Sequence, residues 1–459
     1  MYAPDPLDTY APTISMTLLM LMLGIFAKED MHVSTGDVPG AFLNAELDDS
    51  DDVNDLSHVM ILDKLSAQYL CELEPAYKEY VRKDGTMLVK LKKALYGLIE
   101  APKLWHEHMS ECLKKFGFKK HPLEPCVFVF KDKDGVCYIL LYVDDLFIGC
   151  ITIRLRDRVK AYIDSHFTGI NWKDGREHDY VGLEIDLSQR GAVILSMSGY
   201  IKDLLETTGT VNIADSPAGP HLFDVRPDEE SEFLEKADAK SFHSVVMKLH
   251  YLAKRLRADI LTTVAFLCTR VKCPTVDDKV KLMRLLGYLN KTKEEVLTVR
   301  IDPGMQIKAY IDASYAVHPD MKSHGGVCIT LGTGCILAKS YKIKLNTKSS
   351  TESELVCASD TLGEALFIRE FLLLLDYKVP PVLFMEDNQS TIKMIKNGRP
   401  ESDASRHINI RYFWIHHRAE IGDVVVQYCP TEEMVADVLT KPLQGAVYKK
   451  FAKLLMGNL

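Results

Sequence analysis

The chain has 459 residues, which at roughly 100–200 residues per domain implies two or three domains and excludes a single small one. Hydrophobic residues make up 47% and charged residues 26%, the composition of a globular protein and not of a disordered or fibrous one. The formal charge is -8, from 56 Lys+Arg against 64 Asp+Glu, so the whole-chain balance lends no support to a nucleic acid or an anionic membrane as partner.

In chain order, the first fifteen residues carry Asp5 and Asp8 and no Lys or Arg, which argues against a secretory signal. The apolar run Ile14 to Ala27 is shorter than the ~20 residues needed to cross a bilayer and predicts a buried helix. No membrane association is expected. Glu46, Asp48, Asp49, Asp51, Asp52 and Asp55 lack apolar periodicity and predict a solvated loop. Between Val136 and Ile148, two β-branched and aromatic runs flank Asp144 and Asp145, which predicts a hairpin with the acids at its tip. Pro217, Gly219, Pro220 and Pro227 mark residues 210–230 as a linker. Residues 237–300 have helical spacing with interspersed Lys248, Lys254, Arg255, Arg257, Arg270, Lys272, Lys279, Lys281, Arg284, Lys291 and Lys293, a basic helical layer unless its charges are balanced locally.

The remainder alternates strands and helices: strands at Ile307–Ala313, Gly326–Leu331 and Lys339–Leu345, a long helix at Glu352–Leu375, a strand at Val382–Glu386, and helices after it. Charge divides unevenly along the chain, 18 Lys+Arg minus 17 Asp+Glu giving +1 for residues 305–459, and 38 minus 47 giving -9 for the rest. Eleven cysteines with no C-x-x-C spacing fit a reducing compartment and no structural zinc site.

Two sets of carboxylates stand out. Phosphoryl transfer on nucleic acids uses two divalent cations about 3.5–4 Å apart, and such hard cations take clustered oxygen ligands. Asp37 follows a strand-like segment, so with Asp144 and Asp145 it forms a three-carboxylate set if the two strands are neighbours. Considered alone, an Asp-Asp turn is more simply structural. In the last domain Asp312 ends a strand, Glu352 and Glu354 start a helix, Asp387 follows a strand and Asp437 opens Val438-Leu439-Thr440-Lys441. Glu352 and Glu354 lie about 200° apart on a helix, so only one can face a given site. Glu354 begins the core-packed run and is preferred, with Glu352 second. A Gly334–Ser340 phosphate loop is rejected because Ala338 stands where glycine is required.

Tyr142-Val143-Asp144-Asp145 resembles the Y-x-D-D box of reverse transcriptases, and Asp37-Val38 with Ala41-Phe42 is similar to their first catalytic motif. Leu95-Tyr96-Gly97-Leu98, followed by Ala101-Pro102-Lys103-Leu104-Trp105, resembles the template-gripping motif of copia-type retrotransposons. The series Ser349 to Glu354, Asp387-Asn388-Gln389-Ser390, Arg406 to Tyr412 and Ala436 to Leu443 is similar to the ribonuclease H domain of the same elements. The resemblance covers nearly the whole chain.

It implies a multidomain α/β and α+β protein. A right-hand polymerase palm, an antiparallel sheet with helices and a truncated fingers remnant, would occupy 1–220. A helical thumb and connection would follow at 221–304, a mixed-sheet ribonuclease H-like domain at 305–445 and a tail at 446–459. It implies RNA-directed DNA polymerase and ribonuclease H activities, with Asp37, Asp144 and Asp145 holding Mg²⁺ in one site and Asp312, Glu354, Asp387 and Asp437 in the other, two ions per site and Mn²⁺ as a substitute. Phe42 would lie under the incoming sugar, and the backbone N–H groups of Gly40 and Ala41 would face the triphosphate. The implied partners are RNA template, DNA primer, RNA–DNA hybrid, deoxynucleoside triphosphates and other Pol products, in a cytoplasmic virus-like particle or the nucleus. His407 stays outside the catalytic set.

Three features depart from that pattern: only 36 residues precede Asp37, Ile99 and Glu100 stand where a basic residue is usual, and Pro39 stiffens the loop after Asp37. They motivate the alternative of a catalytically weak remnant that only binds nucleic acid.

Overall fold

The computed structural model describes residues 10–47, 58–209, 212–398 and 409–458. Asp48 to Asp55 of the acidic loop, and His407, lie outside them. Contacts divide the chain into two compact units. One comprises His32–Asp174 with the described residues before Ser15, and the other comprises Ser15–Met31 with the residues from Gly175 on.

The first unit is built on a six-stranded sheet of β1 (His32–Asp37), β2 (Lys119–His121), β3 (Glu124–Asp132), β4 (Gly135–Tyr142), β5 (Asp145–Cys150) and β6 (Asn171–Gly175), in the order β2-β3-β4-β5-β1-β6. Cys137–Leu141 of β4 and Leu146–Cys150 of β5 are buried throughout, which is why both read as unbroken apolar runs rather than alternating ones. The predicted hairpin forms: Tyr142 pairs with Asp145, leaving Val143 and Asp144 as a two-residue turn. Helix α2 (Ala101–Phe116) starts with Pro102 in its first turn, where the missing N–H costs nothing, and ends at Gly117 in the left-handed region. Its Trp105, Met109 and Leu113, one helical turn apart, are buried.

In the second unit α1 (Met16–Lys28) is the expected buried helix, apolar on every side and buried from Leu18 to Ala27. It packs on the strand Leu297–Ile301, where a Cβ on Gly24 would lie 2.9 Å from the Ile301 side chain. No helix among the described residues is long and apolar enough to cross a membrane. Leu297–Ile301 belongs to a five-stranded antiparallel meander with Glu177–Tyr180, Leu183–Asp186, Val193–Ser196 and Gly332–Thr333. The expected helical layer consists of α3 (Lys236–Arg255), α4 (Leu261–Arg270) and α5 (Val276–Lys291), the last opened by a capping box between Thr275 and Asp278. Residues 212–235 carry one short 3₁₀ turn, Asp228–Glu230, as their prolines predict. They do not run free, since Gln444 Nε2 donates to Ala218 O at 2.8 Å and Arg284 reaches Ser216 at 3.0 Å.

The last sheet contains β7 (Lys308–Ser314), β8 (His324–Thr330), β9 (Leu337–Lys342), β10 (Val382–Glu386) and β11 (Val424–Tyr428), in the order β9-β8-β7-β10-β11. The first three strands are antiparallel, whereas β10 and β11 run parallel to β7. Only helices were expected after Glu386, and β11 corrects this. Its Val424-Val425-Val426 is a β-branched run of the kind that favours strands. Helix α6 (Ser350–Leu374) packs on β7, α7 (Gln389–Asn397) follows β10, and α8 (Gly445–Met456) closes the chain with Tyr448, Phe451 and Leu455 buried.

Candidate metal centres

In the first unit, β1 and β5 are antiparallel neighbours with Asp37 opposite Asp145, and the turn places Asp144 beside them. The turn is strained, because Val143 has φ +55°, which a β-branched residue rarely adopts. Its conformation is held from outside: the Trp105 indole, fully buried on α2, donates to Val143 O at 2.7 Å. Val38 N donates to Asp144 O at 3.3 Å, tying the loop after Asp37 to the same turn. In this structure the motif compared above with a template grip fixes the carboxylate-bearing hairpin.

Burial, with Asp144 and Asp37 alongside, raises the Asp145 carboxyl to about 6. The three acids do not reach contact, since they lack ligand oxygens all within 4.8 Å of one another, as the next set has. Tyr96 intervenes: its hydroxyl donates to Asp144 Oδ2 at 3.2 Å and its ring lies 4.4 Å from that of Phe42. Burial and the nearby Asp144 raise the Tyr96 hydroxyl above its ordinary value, which keeps it protonated as the donor. Phe42 is buried in a short 3₁₀ turn, Ala41–Asn44, that follows Gly40, whose φ of +63° suits glycine. Asn44 Nδ2 donates to Gly40 O and Ala41 O at 3.3 Å each, holding the loop closed.

In the second unit Asp312 (β7), Glu354 (the first turns of α6) and Asp387 (just past β10) converge, with one oxygen of each within 4.8 Å of the others. The convergence follows from the sheet: parallel pairing sets Tyr310 beside Met385, so the C-terminal ends of both strands emerge together, and α6 packs across β7. Ser349 caps α6, accepting from Glu352 N at 3.2 Å, while Glu352 turns back to receive Lys348 N. Of the two helical glutamates, then, Glu354 faces the aspartates and Glu352 serves the helix start.

Threonines surround this cluster. Thr391 donates to Glu354 Oε2 at 2.8 Å, Thr431 to Asp387 Oδ2 at 3.1 Å and Thr440 to Asp312 Oδ2. Asn388 caps α7 with its side chain and donates its backbone N–H to Glu386 Oε1 at 3.0 Å. Burial, then Asp312 and Asp387, raise Glu354 to about 7, and burial with Asp312 raises Asp387. Glu386, fully buried at the end of β10, is driven well above the ordinary range by burial and by Glu354, and its Oε2 has no hydrogen-bond partner. Acids this close carry an excess of negative charge, and their donors are all hard oxygens, so the set fits a divalent cation of the magnesium type.

Asp437 stands apart from the three. It lies in the 3₁₀ turn Val435–Leu439, buried, with Oδ1 2.6 Å from Lys441 Nζ. Burial and Asp312 raise its carboxyl to about 6 against the pull of Lys441. This turn packs tightly on β8: a Cβ on Gly326 would lie 2.7 Å from Thr440 Cγ2 and 2.8 Å from Leu439 Cβ. Trp105, Tyr96, Glu386, Thr391, Thr440 and Lys441 were not singled out as site residues from the sequence, although Trp105, Tyr96, Thr440 and Lys441 stand inside the motifs quoted. Apart from the contact of Lys441 with Asp437 four residues away, their roles depend on partners far along the chain.

The helical layer is less basic than its residue count suggests. Arg257 is fully buried against Asp259 at 2.8 Å, Arg270 pairs with Asp278 at 3.1 Å and Lys279 with Asp238 at 2.7 Å, and Lys291 pairs with Asp215. Arg255 instead lies over the Tyr251 ring, 3.8 Å from its centroid, on a half-exposed face of α3.

The chain is similar to known proteins. The profile of a family described as Reverse transcriptase (RNA-dependent DNA polymerase) matches residues 72–218. The chain is 29% identical over 455 residues to the retrovirus-related Pol polyprotein from transposon RE1 of Arabidopsis thaliana, an alignment covering 98% of this chain and 29% of that protein. It is 27% identical over 443 residues to the Pol polyprotein from transposon TNT 1-94 of Nicotiana tabacum, covering 95% and 31%. The chain thus spans less than a third of the length of these relatives. Among solved structures, RNase H1 from the halophilic archaeon Halobacterium salinarum NRC-1 is 17% identical, covering 29% of this chain and 93% of that one at a TM-score of 0.21.

Proposed function

Starting from a chain that belongs to the copia-type retrotransposon Pol proteins, we propose that it is a reverse transcriptase joined to a ribonuclease H, each working through its own carboxylate site. The observation that carries this reading is the Asp312–Glu354–Asp387 cluster at the ends of two parallel strands and a helix start, since three carboxylates this crowded, with one lysine beside Asp312, have a ready explanation in cation binding. In this reading the palm extends to about residue 220, the thumb and connection occupy 221–304 and the ribonuclease H-like part 305–445. Its substrates are an RNA–DNA hybrid, a primed RNA template and deoxynucleoside triphosphates.

At the hydrolytic site Asp312, Glu354, Asp387 and Asp437 would hold Mg²⁺ or Mn²⁺. Bound divalent ions there supply a hydroxide-like nucleophile and neutralise charge on the phosphate oxygens. The chain's own groups do the rest. Thr391, Thr431 and Thr440 orient the carboxylates by donating to one oxygen each, which leaves the other oxygens as ligands. At the polymerase site Asp37, Asp144 and Asp145 would be the ligands, with Trp105 fixing the turn that presents them. The Tyr96 hydroxyl donates to Asp144 Oδ2, leaving Oδ1 as the ligand oxygen, and its ring lies 4.4 Å from that of Phe42, beside the surface proposed for the incoming sugar. The loop at Gly40 and Ala41 would carry the triphosphate contacts.

Mg²⁺-dependent cleavage of a labelled RNA–DNA hybrid and extension of a primer on RNA test the reading. Asp387→Asn is expected to lower cleavage on the order of a thousandfold and leave extension unchanged, and Asp144→Asn to do the reverse. Loss of both activities in either variant would overturn the two-site assignment, and a wild-type chain that binds hybrid without cutting it would identify a nucleic-acid-binding remnant.

A further inference from the structure

Four acids of the second unit follow the expected series, yet only three of them converge, and the fourth is engaged by a lysine. Lys441 Nζ lies 2.6 Å from Asp437 Oδ1 and within 3.3–3.5 Å of both Asp312 oxygens. Asp312 belongs to the triad with Glu354 and Asp387, so the ammonium sits between the triad and the outlying acid.

This placement is built in from several directions. Lys441 N donates to Asp437 O at 2.9 Å, which closes the turn that carries both residues. Pro442 follows and restricts the backbone of Lys441 to extended conformations. Thr440, immediately before, donates to Asp312 Oδ2, and the close approach of Gly326 to Leu439 and Thr440 fixes the distance of the whole segment from β8. An ammonium at bonding distance from two carboxylates occupies the position from which a divalent ion would bridge the same two. A monovalent and a divalent cation at such a separation would repel strongly even at a protein-like dielectric.

We propose that Lys441 is the resident cation of the Asp312–Asp437 half of the hydrolytic centre, so that the Asp312–Glu354–Asp387 triad takes one divalent ion tightly and a second binds only by displacing the ammonium. This rests on the assignment of the site as a divalent-cation centre. Lys441 is accordingly a positioning and competing residue, and it sets the concentration at which the second ion enters.

Mn²⁺ binding to the full chain carrying D37N and D144N, followed by electron paramagnetic resonance and calorimetry, reads this directly without any turnover. The expected result is one tight and one weak ion near the triad. K441Q is expected to tighten the weak ion at least about tenfold, while K441R, which keeps the charge, stays weak. Two ions of equal affinity in the chain that retains Lys441, or a second-ion affinity that K441Q leaves unchanged, overturns the proposal. Anomalous diffraction from wild-type crystals with Mn²⁺ does not depend on how the variants fold. One peak at the triad with Lys441 still on Asp437 supports the proposal, and a second peak between Asp312 and Asp437 at low Mn²⁺ overturns it. If no ion binds at Asp312, Glu354 and Asp387 under any condition, the metal-centre reading itself fails and the proposal goes with it.

Discussion

In the first unit the candidate site is assembled from adjacent strand ends, Asp37 opposite Asp145 across one antiparallel pair with Asp144 in the intervening hairpin turn, and its carboxylates remain apart under the hydrogen bond from Tyr96. In the second unit the acids come from two parallel strands and a helix and draw within 4.8 Å of one another. Strand adjacency brings backbones together cheaply, but alternation and turn geometry then decide where each side chain points. Convergence from separate layers takes more of the fold to specify, and it produces the larger electrostatic stress. The hairpin stores its cost in a backbone angle at Val143 and in the raised carboxyl of Asp145, while the second site stores it in the displaced protonation of Glu354 and Asp387 and of the neighbouring Glu386.

That contrast can be broken or sharpened by measurement. The largest effect is expected for Trp105→Ala, which removes a fully buried indole and the donor that holds Val143 O. It should destabilise the chain by about 3–5 kcal/mol in denaturant unfolding, and under folding conditions it should reduce primer extension far more than hybrid cleavage. Equal losses would mean the indole is no special support of the hairpin.

Next is the pH dependence of the second unit without divalent ions. Glu354, raised from 4.5 to about 7, and Asp437, raised from 3.8 to about 6, hold protons in the folded state that the unfolded chain has already released. Glu354 and Asp437 therefore contribute less stability as pH climbs from about 4.5 to 7, by roughly 3 kcal/mol for Glu354 alone as an upper bound. His318 and His324 of the same unit, lowered by burial to about 4 and about 3, act the opposite way, so the readout is a difference: the melting temperature of the wild type relative to Glu354→Gln should fall over that window. A difference that stays constant or grows with pH would contradict the crowding inferred for the triad.

A smaller effect is expected for Gly326→Ala, whose methyl meets Leu439 and Thr440 at under 3 Å. A cost of about 1–3 kcal/mol and a selective loss of hybrid cleavage would show that the closeness of this turn to β8 serves the site. The smallest is Tyr96→Phe, which removes one hydrogen bond to a partly exposed acid. It should change stability by no more than about 1 kcal/mol and raise Mn²⁺ affinity at the hairpin severalfold. No change in affinity would show that Tyr96 does not restrain Asp144.

Much of this architecture was legible in advance where a local pattern carries the information. The Asp144–Asp145 hairpin is announced by two apolar runs meeting at a turn, β10 by a compact apolar strand, and α1 by a run too short for a bilayer. Helical phase admits only one of Glu352 and Glu354 to a site, and the core-packed run that starts at Glu354 favours it. Residues 424–428 were missed although their β-branched run was available, because the expectation of helices after Glu386 took precedence. The pairing of Lys441 with Asp312 and the grip of Trp105 on Val143 were illegible for a different reason: each joins residues brought together only by the finished fold. The basic layer was overstated because Arg257, a cation in the count, is internal and neutralised by Asp259.

Helix α1 belongs by its contacts to the second unit, yet it is made before every residue of the sheet that bears the hairpin. As the chain emerges during synthesis, this helix, buried from Leu18 to Ala27 in the finished fold, must wait until Leu297–Ile301 exists to cover it. Contacts that close over such long stretches slow folding and prolong the exposure of sticky surface. The interval between the two segments thus sets a demand for chaperones, and a fragment beginning at Gly175 would lack the helix that seals the meander.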